Sequence, residues 1–231
     1  ALLGRQFGVL ARVADQRAQR LQLGLRVLGP PARERLVVGL DNRNPLTSAA
    51  VTCCDSPTYL VASPGDGVYR SDDGGSHWAR ANAGLASRQV TRLAASPAEG
   101  GPTFAVADEV LFRSDDAGIS WTSLDHPGAP ITSIGLSSST PDEVLIGDAE
   151  GRVHRSDDLG RTWATVRATS SGAVDAITRI SSDEVLVGTD AQGLLRSVDD
   201  LASFEQVAAA ALDSGAVASV ATSSTSTDAA D

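Results

Sequence analysis

The sequence predicts an all-β fold built from repeated four-stranded antiparallel units, and three observations predict it. An eight-residue stretch recurs, as SDDGGSHW from Ser71, SDDAGISW from Ser114, SDDLGRTW from Ser156 and, in decayed form, SVDDLASF from Ser197. The copies start 43, 42 and 41 residues apart, and a near-constant period of that size marks a repeat architecture. Around each copy lie short runs rich in Val, Ile, Thr and Leu, separated by Gly, Asp, Ser and Pro. No helical periodicity interrupts them between residues 46 and 223.

Each unit reads in order as four short strands. The first is a run opened by a β-branched residue: VTCC at 51, VTRL at 90, ITSI at 131 and ITRI at 177, with VASV at 217 opening a fifth. The second is TYLVAS, TFAVAD, EVLIGD or EVLVGT, in which Tyr59 aligns with Phe104, Val144 and Val185. The third ends on Tyr69-Arg70, Phe112-Arg113, His154-Arg155 or Leu195-Arg196. The recurring turn follows, and Trp78, Trp121, Trp163 and Phe204 open the fourth strand and are expected to be mostly buried. Within the turn, Ser71 and Asp73 have side chains suited to hydrogen-bonding local backbone, and Gly75 permits a positive φ. The fourth copy has Leu201 for Gly and Phe204 for Trp, so its turn is expected to be built differently. Four strands per period of 40–45 residues predict a β-propeller, because blades packed radially bury faces that one blade alone leaves wet. About five blades are expected: 46–85, 86–128, 129–171, 172–213 and the start of a fifth at 214–223. Residues 1–45 form a basic leader, with strands at 19–41 expected to complete the closing blade if the ring is not left incomplete. Residues 224–231 are a polar tail.

The turn resembles the Asp-box, or BNR repeat, of the sialidase-like β-propeller superfamily. Ser114, Asp116, Gly118, Ser120 and Trp121 match its Ser-x-Asp-x-Gly-x-Ser/Thr-Trp pattern in full, as do Ser156, Asp158, Gly160, Thr162 and Trp163. Ser71, Asp73, Gly75 and Trp78 match with His77 at the Ser/Thr position, and Ser197, Asp199 and Phe204 make the decayed copy. The resemblance covers residues 46–223. It implies a propeller in which the box is a folding element distant from any active site. The superfamily includes sialidases, paired-carboxylate hydrolases of the xyloglucan-cleaving type, and a non-catalytic group with photosystem II assembly-type factors and sortilin-type receptors. The non-catalytic, assembly factor-like branch is favoured. The Arg-Ile-Pro motif of sialidases is absent, Tyr59 and Tyr69 both stand at repeating apolar positions, and aromatic residues are only 4% of the chain.

Charge and composition narrow the classes further. The net charge is −10, with arginine as the only basic residue beside three histidines. An acidic body argues against nucleic-acid binding. Eight arginines sit in residues 1–45 against Asp15, Glu34 and Asp41, which reads as a docking segment. No apolar run is long enough to span a bilayer, and ALLGRQFGVL is not a recognisable signal peptide. His77, His126 and His154 lack ligand spacing and the boxes lack further carboxylates, so no metal and no cofactor are expected. Cys53 and Cys54 are neighbours, poorly placed to bridge, and read as small buried residues. Arg92 and Arg179 are the candidate anion contacts of a central channel, as third residues of innermost runs aligned with Cys53, Ser133 and Ser219. The carboxylates Asp108, Glu109, Asp142, Glu143, Asp183 and Glu184 fall in connections.

The expectation is a non-catalytic propeller serving as a protein-binding or assembly scaffold, with another protein or a polysaccharide as partner. The face carrying the connections 97–103 and 137–143 is the candidate surface. The alternative is a sialidase-like or other glycoside hydrolase, or a fragment of one. The resemblance further implies an extracytoplasmic location.

Overall fold

A computed structural model of the chain describes residue 40 and residues 44–53, 56–137, 139–168 and 172–207. The leader strands proposed at 19–41, apart from Leu40, lie outside the described residues, as do the fifth-unit start at 214–223 and the tail. Among the described residues there are sixteen strands and no helix.

Four sheets of four strands follow one another along the chain. The first contains β1 (Ser48–Val51), β2 (Tyr59–Ser63), β3 (Gly67–Ser71) and β4 (Ala79–Arg80). The second contains β5 (Val90–Ala95), β6 (Thr103–Ala107), β7 (Val110–Ser114) and β8 (Thr122–Leu124). The third contains β9 (Ile131–Leu136), β10 (Val144–Asp148), β11 (Arg152–Ser156) and β12 (Ala164–Ala168). The fourth contains β13 (Val174–Arg179), β14 (Val185–Thr189), β15 (Gly193–Ser197) and β16 (Glu205–Gln206). Every sheet is an antiparallel meander in chain order. The innermost strands pack in succession, β1 on β5, β5 on β9 and β9 on β13, so the blades form the consecutive arc of a partial β-propeller.

The core lies in the joints between blades. Leu60, Ala62 and Val68 of the first blade cluster with Val90, Leu93, Phe112 and Trp121 of the second. Phe104, Val106 and Leu111 of the second meet Ile131 and Ile146 of the third. Leu145 and Val153 of the third meet Val174, Ile177 and Leu201 of the fourth. On the far side of the first blade, Leu40 and Leu46 pack against Val61, Tyr69 and Trp78. Burying apolar surface at about 25 cal/mol per Å² is what holds such units together.

Registers correct two alignments. Tyr59, Thr103, Val144 and Val185 each pair with the serine that opens the turn, so Thr103 and not Phe104 is the equivalent of Tyr59. The innermost strands of the first and fourth blades start three residues before the runs that mark them in sequence, at Ser48 and Val174 rather than 51 and 177. The innermost strands of the second, third and fourth blades each carry a bulge, at Thr91, Thr132 and Asp175. A bulge inserts one residue and shifts the sequence count by one.

Candidate partner-binding face

The four recurring turns share one hydrogen-bond set. In the second, Ser114 Oγ donates to Asp116 Oδ1 at 2.7 Å, and Gly118 N–H donates to Ser114 Oγ at 2.8 Å. Ser120 N–H reaches Asp116 Oδ1 at 2.8 Å, and its hydroxyl reaches Oδ2 at 2.5 Å. Ser156, Asp158, Gly160 and Thr162 repeat this in the third turn. Ser71, Asp73, Gly75 and His77 repeat it in the first, with the His77 ring nitrogen in place of the hydroxyl. Each aspartate is thus spent on the backbone of its own loop. Hydrogen bonds from the His77 backbone and ring hold Asp73 well below the ordinary carboxylate range. The Thr162 hydroxyl and N–H do the same for Asp158. At Asp116, burial acts upward, but hydrogen bonds from Ser120 and Ser114 bring the carboxyl down to about 2.

The fourth turn was expected to differ and does not. Ser197 Oγ donates to Asp199 at 2.8 Å, Leu201 N–H donates to Ser197 Oγ at 2.9 Å, and Ser203 supplies both remaining bonds. Leu201 adopts φ +72°, where the other turns place Gly75, Gly118 and Gly160 at +85° to +90°. A left-handed non-glycine residue costs roughly 1–2 kcal/mol, and burial offsets it: Leu201 is 1% exposed against the third blade. In the second and third blades this space is taken from the other side. A Cβ on Gly118 would stand 2.7 Å from Leu60, and one on Gly160 2.8 Å from Leu124.

The aromatic residues each precede a fourth strand, but their burial divides. Trp78 and Trp121 are buried, while Trp163 and Phe204 are half-buried. Trp121 is covered because the chain after the first blade docks on it: its Nε1 donates to Ala81 O and its N–H to Ala83 O. Trp78 and Trp163 instead bond within their own turns, to Gly75 O and Gly160 O.

The repeating arginines latch each blade to the next. Arg70 donates to Ala117 O, Arg113 to Leu159 O, and Arg155 to the Asp200 side chain. These acceptors occupy equivalent places, one residue before the glycine or leucine of the following turn. Arg196 turns back on Glu184 and Glu205 of its own blade.

Arg92 and Arg179 do not share a position. Arg92 pairs with Val106 near the start of its strand, whereas Arg179 pairs with Val185 at the end of its own, so the two lie at opposite ends of the innermost strands. The side chain of Arg179 is 1% exposed. Its guanidinium has five N–H groups, and all are engaged. Nε and one Nη2 hydrogen reach Glu143, the other Nη2 hydrogen reaches Asp200 Oδ1 at 2.9 Å, and Nη1 reaches the carbonyls of Ser181 and Ser182. Arg155 completes the cluster at 3.0 Å from Glu143. Against burial, Arg155 and Arg179 hold the Asp200 carboxyl low. The carboxylate Glu143 and the cation Arg179 therefore close the joint between third and fourth blades. Arg92 is half-buried and donates to the carbonyls of Thr132 and Thr91 beside the bulges. Burial pushes the nearby Asp175 carboxyl up, Asp190 adds to the rise, and Arg92 opposes it.

Two side chains carry more than their sequence context suggested. His154, at an apolar repeat position, is 1% exposed and sits 3.1 Å from buried Asp148 and 2.8 Å from Thr165 Oγ1. Asp148 also takes Arg152 Nε at 2.7 Å. A lone polar residue among apolar repeat positions was the available signal. Cys53 is half-buried and disulfide-bonded, not a buried thiol, and Cys54 lies outside the described residues. Tyr69 is 1% exposed within the first blade. Among the described residues no group of His, Cys, Asp and Glu is placed to hold a metal ion, and no helix is long and apolar enough to cross a membrane.

The antiparallel order puts the connections between first and second strands at the same end as the recurring turns. Hydrogen bonds tie the two together: Thr58 Oγ1 to Asp72, Leu159 N–H to Asp142 O, and Asp200 N–H to Asp183 O. One face thus gathers the loops 97–103 and 137–143, the outward carboxylates Asp72, Asp115 and Asp157, and three exposed aliphatic side chains. These are Ile119 at 54%, Val198 at 53% and Ile180 at 40% exposed.

Comparison with known proteins agrees with this architecture. Solved structures similar in fold include YCF48 from Cyanidioschyzon merolae (TM-score 0.55, 14% identity, covering 69% of this chain and 55% of that one). The GH74 xyloglucanase from Xanthomonas campestris is similar at TM-score 0.55 and 18% identity, covering 71% of this chain and 30% of that one. An ancestral GH74 enzyme follows at 0.57 and 20%, covering 73% and 25%. The chain therefore spans well under two thirds of each of these relatives. A structure of YCF48 bound to D1 peptide is also similar, at TM-score 0.50 and 15% identity, covering 69% of this chain and 57% of that one. No curated protein sequence matches significantly. The family model described as photosynthesis system II assembly factor YCF48 matches residues 38–198, and the chain belongs to that family.

Proposed function

We propose that this propeller assembly factor holds a segment of a protein partner on the face that carries its Asp-box turns. The observation that carries the reading is the exposure of Ile119, Ile180 and Val198, all in connections at that end of the blades. Exposed aliphatic side chains ringed by charge are the usual composition of a protein-docking surface. The partner segment this face suits is apolar with basic flanks, which would compete with Arg70, Arg113 and Arg155 for the exposed carboxylates Asp72, Asp115 and Asp157 that those arginines pair. A related YCF48 structure carries a D1 peptide, which makes that peptide the first ligand to try. The glycoside-hydrolase alternative draws less support, since Glu143 and Glu184 are engaged by Arg179, Arg155 and Arg196. Export belongs to the same reading, as the resemblance to Asp-box propellers implies. Fractionation of the source cells tests that part, and a purely cytosolic pool overturns it.

Fluorescence anisotropy with labelled D1 peptide tests the binding. Ile119→Asp with Val198→Asp is expected to weaken binding more than about tenfold, as removal of central apolar contacts does. Val110→Asp, at the opposite face, is expected to leave it unchanged. Equal loss in both variants, or no binding to the wild type, contradicts the proposal.

A further inference from the structure

We infer that the anchor of the docking face is the corner of the fourth blade between Ile180 and Val198, and that it takes one large apolar side chain of a protein segment with a basic residue beside it. This rests on the reading above and narrows it to one blade. Two departures from the repeat, at the same end of the same sheet, carry it. Val198 stands where the other blades have Asp72, Asp115 and Asp157, each the residue after the serine that opens its turn. Ile180 stands where they have Thr52, Ser96 and Ser137, each the residue after the last paired position of its innermost strand. Polar in three blades, both positions are aliphatic in the fourth, and both are open to solvent, Ile180 at 40% and Val198 at 53%.

Neither change serves the fold locally. The hydroxyls of Thr52, Ser96 and Ser137 accept N–H groups of their own connections, from Thr58, Ala98 and Ser139. The fourth connection is shorter, spanning 180–184 where the others span 52–58, 96–102 and 137–143. There Ser181 takes over, accepting from the N–H groups of Asp183 and Glu184. Nothing in that loop calls for an aliphatic side chain at 180. At 198 the valine forfeits an ion pair: Arg70, Arg113 and Arg155 each hold the aspartate two residues on, whereas Arg196 turns to Glu184 at 2.6 Å. Positions that break a local rule without a local gain mark contact surfaces. The spacing suits one side chain. Arg179, Val185 and Ser197 form a cross-strand row, and Ile180 and Val198 follow it at the same end, two strand spacings or about 10 Å apart. An apolar group seated between them reaches both at contact distances of about 4–4.5 Å. Asp183 beside them is exposed, and its carboxylate has no hydrogen-bond or ion-pair partner among the described residues. A basic residue of the segment meets Asp183 without displacing an arginine.

Fluorescence anisotropy of labelled D1 peptide with the full chain tests this. Ile180→Ser with Val198→Asp restores the residues that the second blade carries at these positions, Ser96 and Asp115. That variant is expected to keep the wild-type melting curve and to bind more than about tenfold more weakly. Ile119→Ser, which restores the residue of the first turn, Ser76, is expected to change binding less than about threefold. Asp183→Asn is expected to weaken binding about threefold and to flatten its salt dependence. Equal losses from Ile119→Ser and from the fourth-blade variant overturn the anchor and leave the docking face standing. Unchanged binding in the fourth-blade variant also overturns the anchor. A wild type that does not bind overturns the docking reading itself, and the anchor with it.

Discussion

Replacing Arg179 by Ala takes the central cation out of the joint between third and fourth blades. Glu143, 4% exposed, then loses its two-pronged partner, and the Ser181 and Ser182 carbonyls lose their donor. Breaking a buried pair by removing one member costs about 3–5 kcal/mol. Glu143 keeps Arg155 at 3.0 Å and Thr140 Oγ1 at 3.1 Å, which places the loss at the lower end, about 3 kcal/mol. With a urea dependence of about 1–3 kcal/mol per molar, the unfolding midpoint falls by about 1–3 M. Arg92→Ala, which removes two hydrogen bonds to carbonyls at a half-buried site, is expected to cost about 1 kcal/mol. A paired replacement, Arg179→Met with Glu143→Leu, is expected to recover most of the loss, because no buried charge is left alone. Equilibrium urea unfolding followed by far-UV circular dichroism measures all three. If Arg179→Ala shifts the midpoint no more than Arg92→Ala, or if the paired replacement is worse than the single one, the reasoning fails.

Further perturbations probe the turns and joints. Trp121→Ala is expected to cost about 3–5 kcal/mol in the same assay, since the ring is 4% exposed and bonded to the first blade; an unchanged midpoint refutes its packing role. Leu201→Gly relieves roughly 1–2 kcal/mol of left-handed strain but deletes a buried side chain worth about 2–5 kcal/mol, so a net loss is expected, and a gain in stability would show that burial is not what holds the turn. Asp116 and Asp148 are held at about 2, and Asp73, Asp158 and Asp199 are also lowered. A carboxyl lowered by folding confers stability that is whole above its unfolded value and is lost as pH falls through the folded value. The midpoint is therefore expected to decline from about pH 5 toward pH 2, and Asp116→Asn should flatten that decline. Fluorogenic sialosides and β-glucans are expected to show no turnover, and turnover abolished by one Asp, Glu or Tyr substitution would restore the hydrolase alternative.

The repeat was legible because it is written in local chemistry. Ser, Asp and Gly must recur wherever the same turn recurs, and the period alone places four sheets. The places where sequence and structure part company are places where a tertiary contact overrides a local rule. Leu201 holds a glycine's backbone angle because the third blade buries its side chain. The run ITRI at 177 copies the pattern of VTRL at 90, but its strand starts three residues earlier, at Val174, so Arg92 and Arg179 looked equivalent and are not. Phe104 drew the alignment away from the less conspicuous Thr103. The Arg179–Glu143 joint was invisible because its members are 36 residues apart and each sits among other charges. The end of the blades that carries the loops 97–103 and 137–143 could be read from the strand order, but the exposure of Ile119 and Val198 there could not, since it depends on how each turn projects.

The functional claim rests on which face meets the partner, and a hydrogen-exchange footprint of the chain with D1 peptide reads that directly. Slowed exchange is expected in the turns 72–78, 115–121, 157–163 and 198–204 and in the connection 180–184, with the opposite turns 108–109 and 149–151 unchanged. Protection confined to those opposite turns and the start of β5 around Arg92, or no protection anywhere, would contradict it.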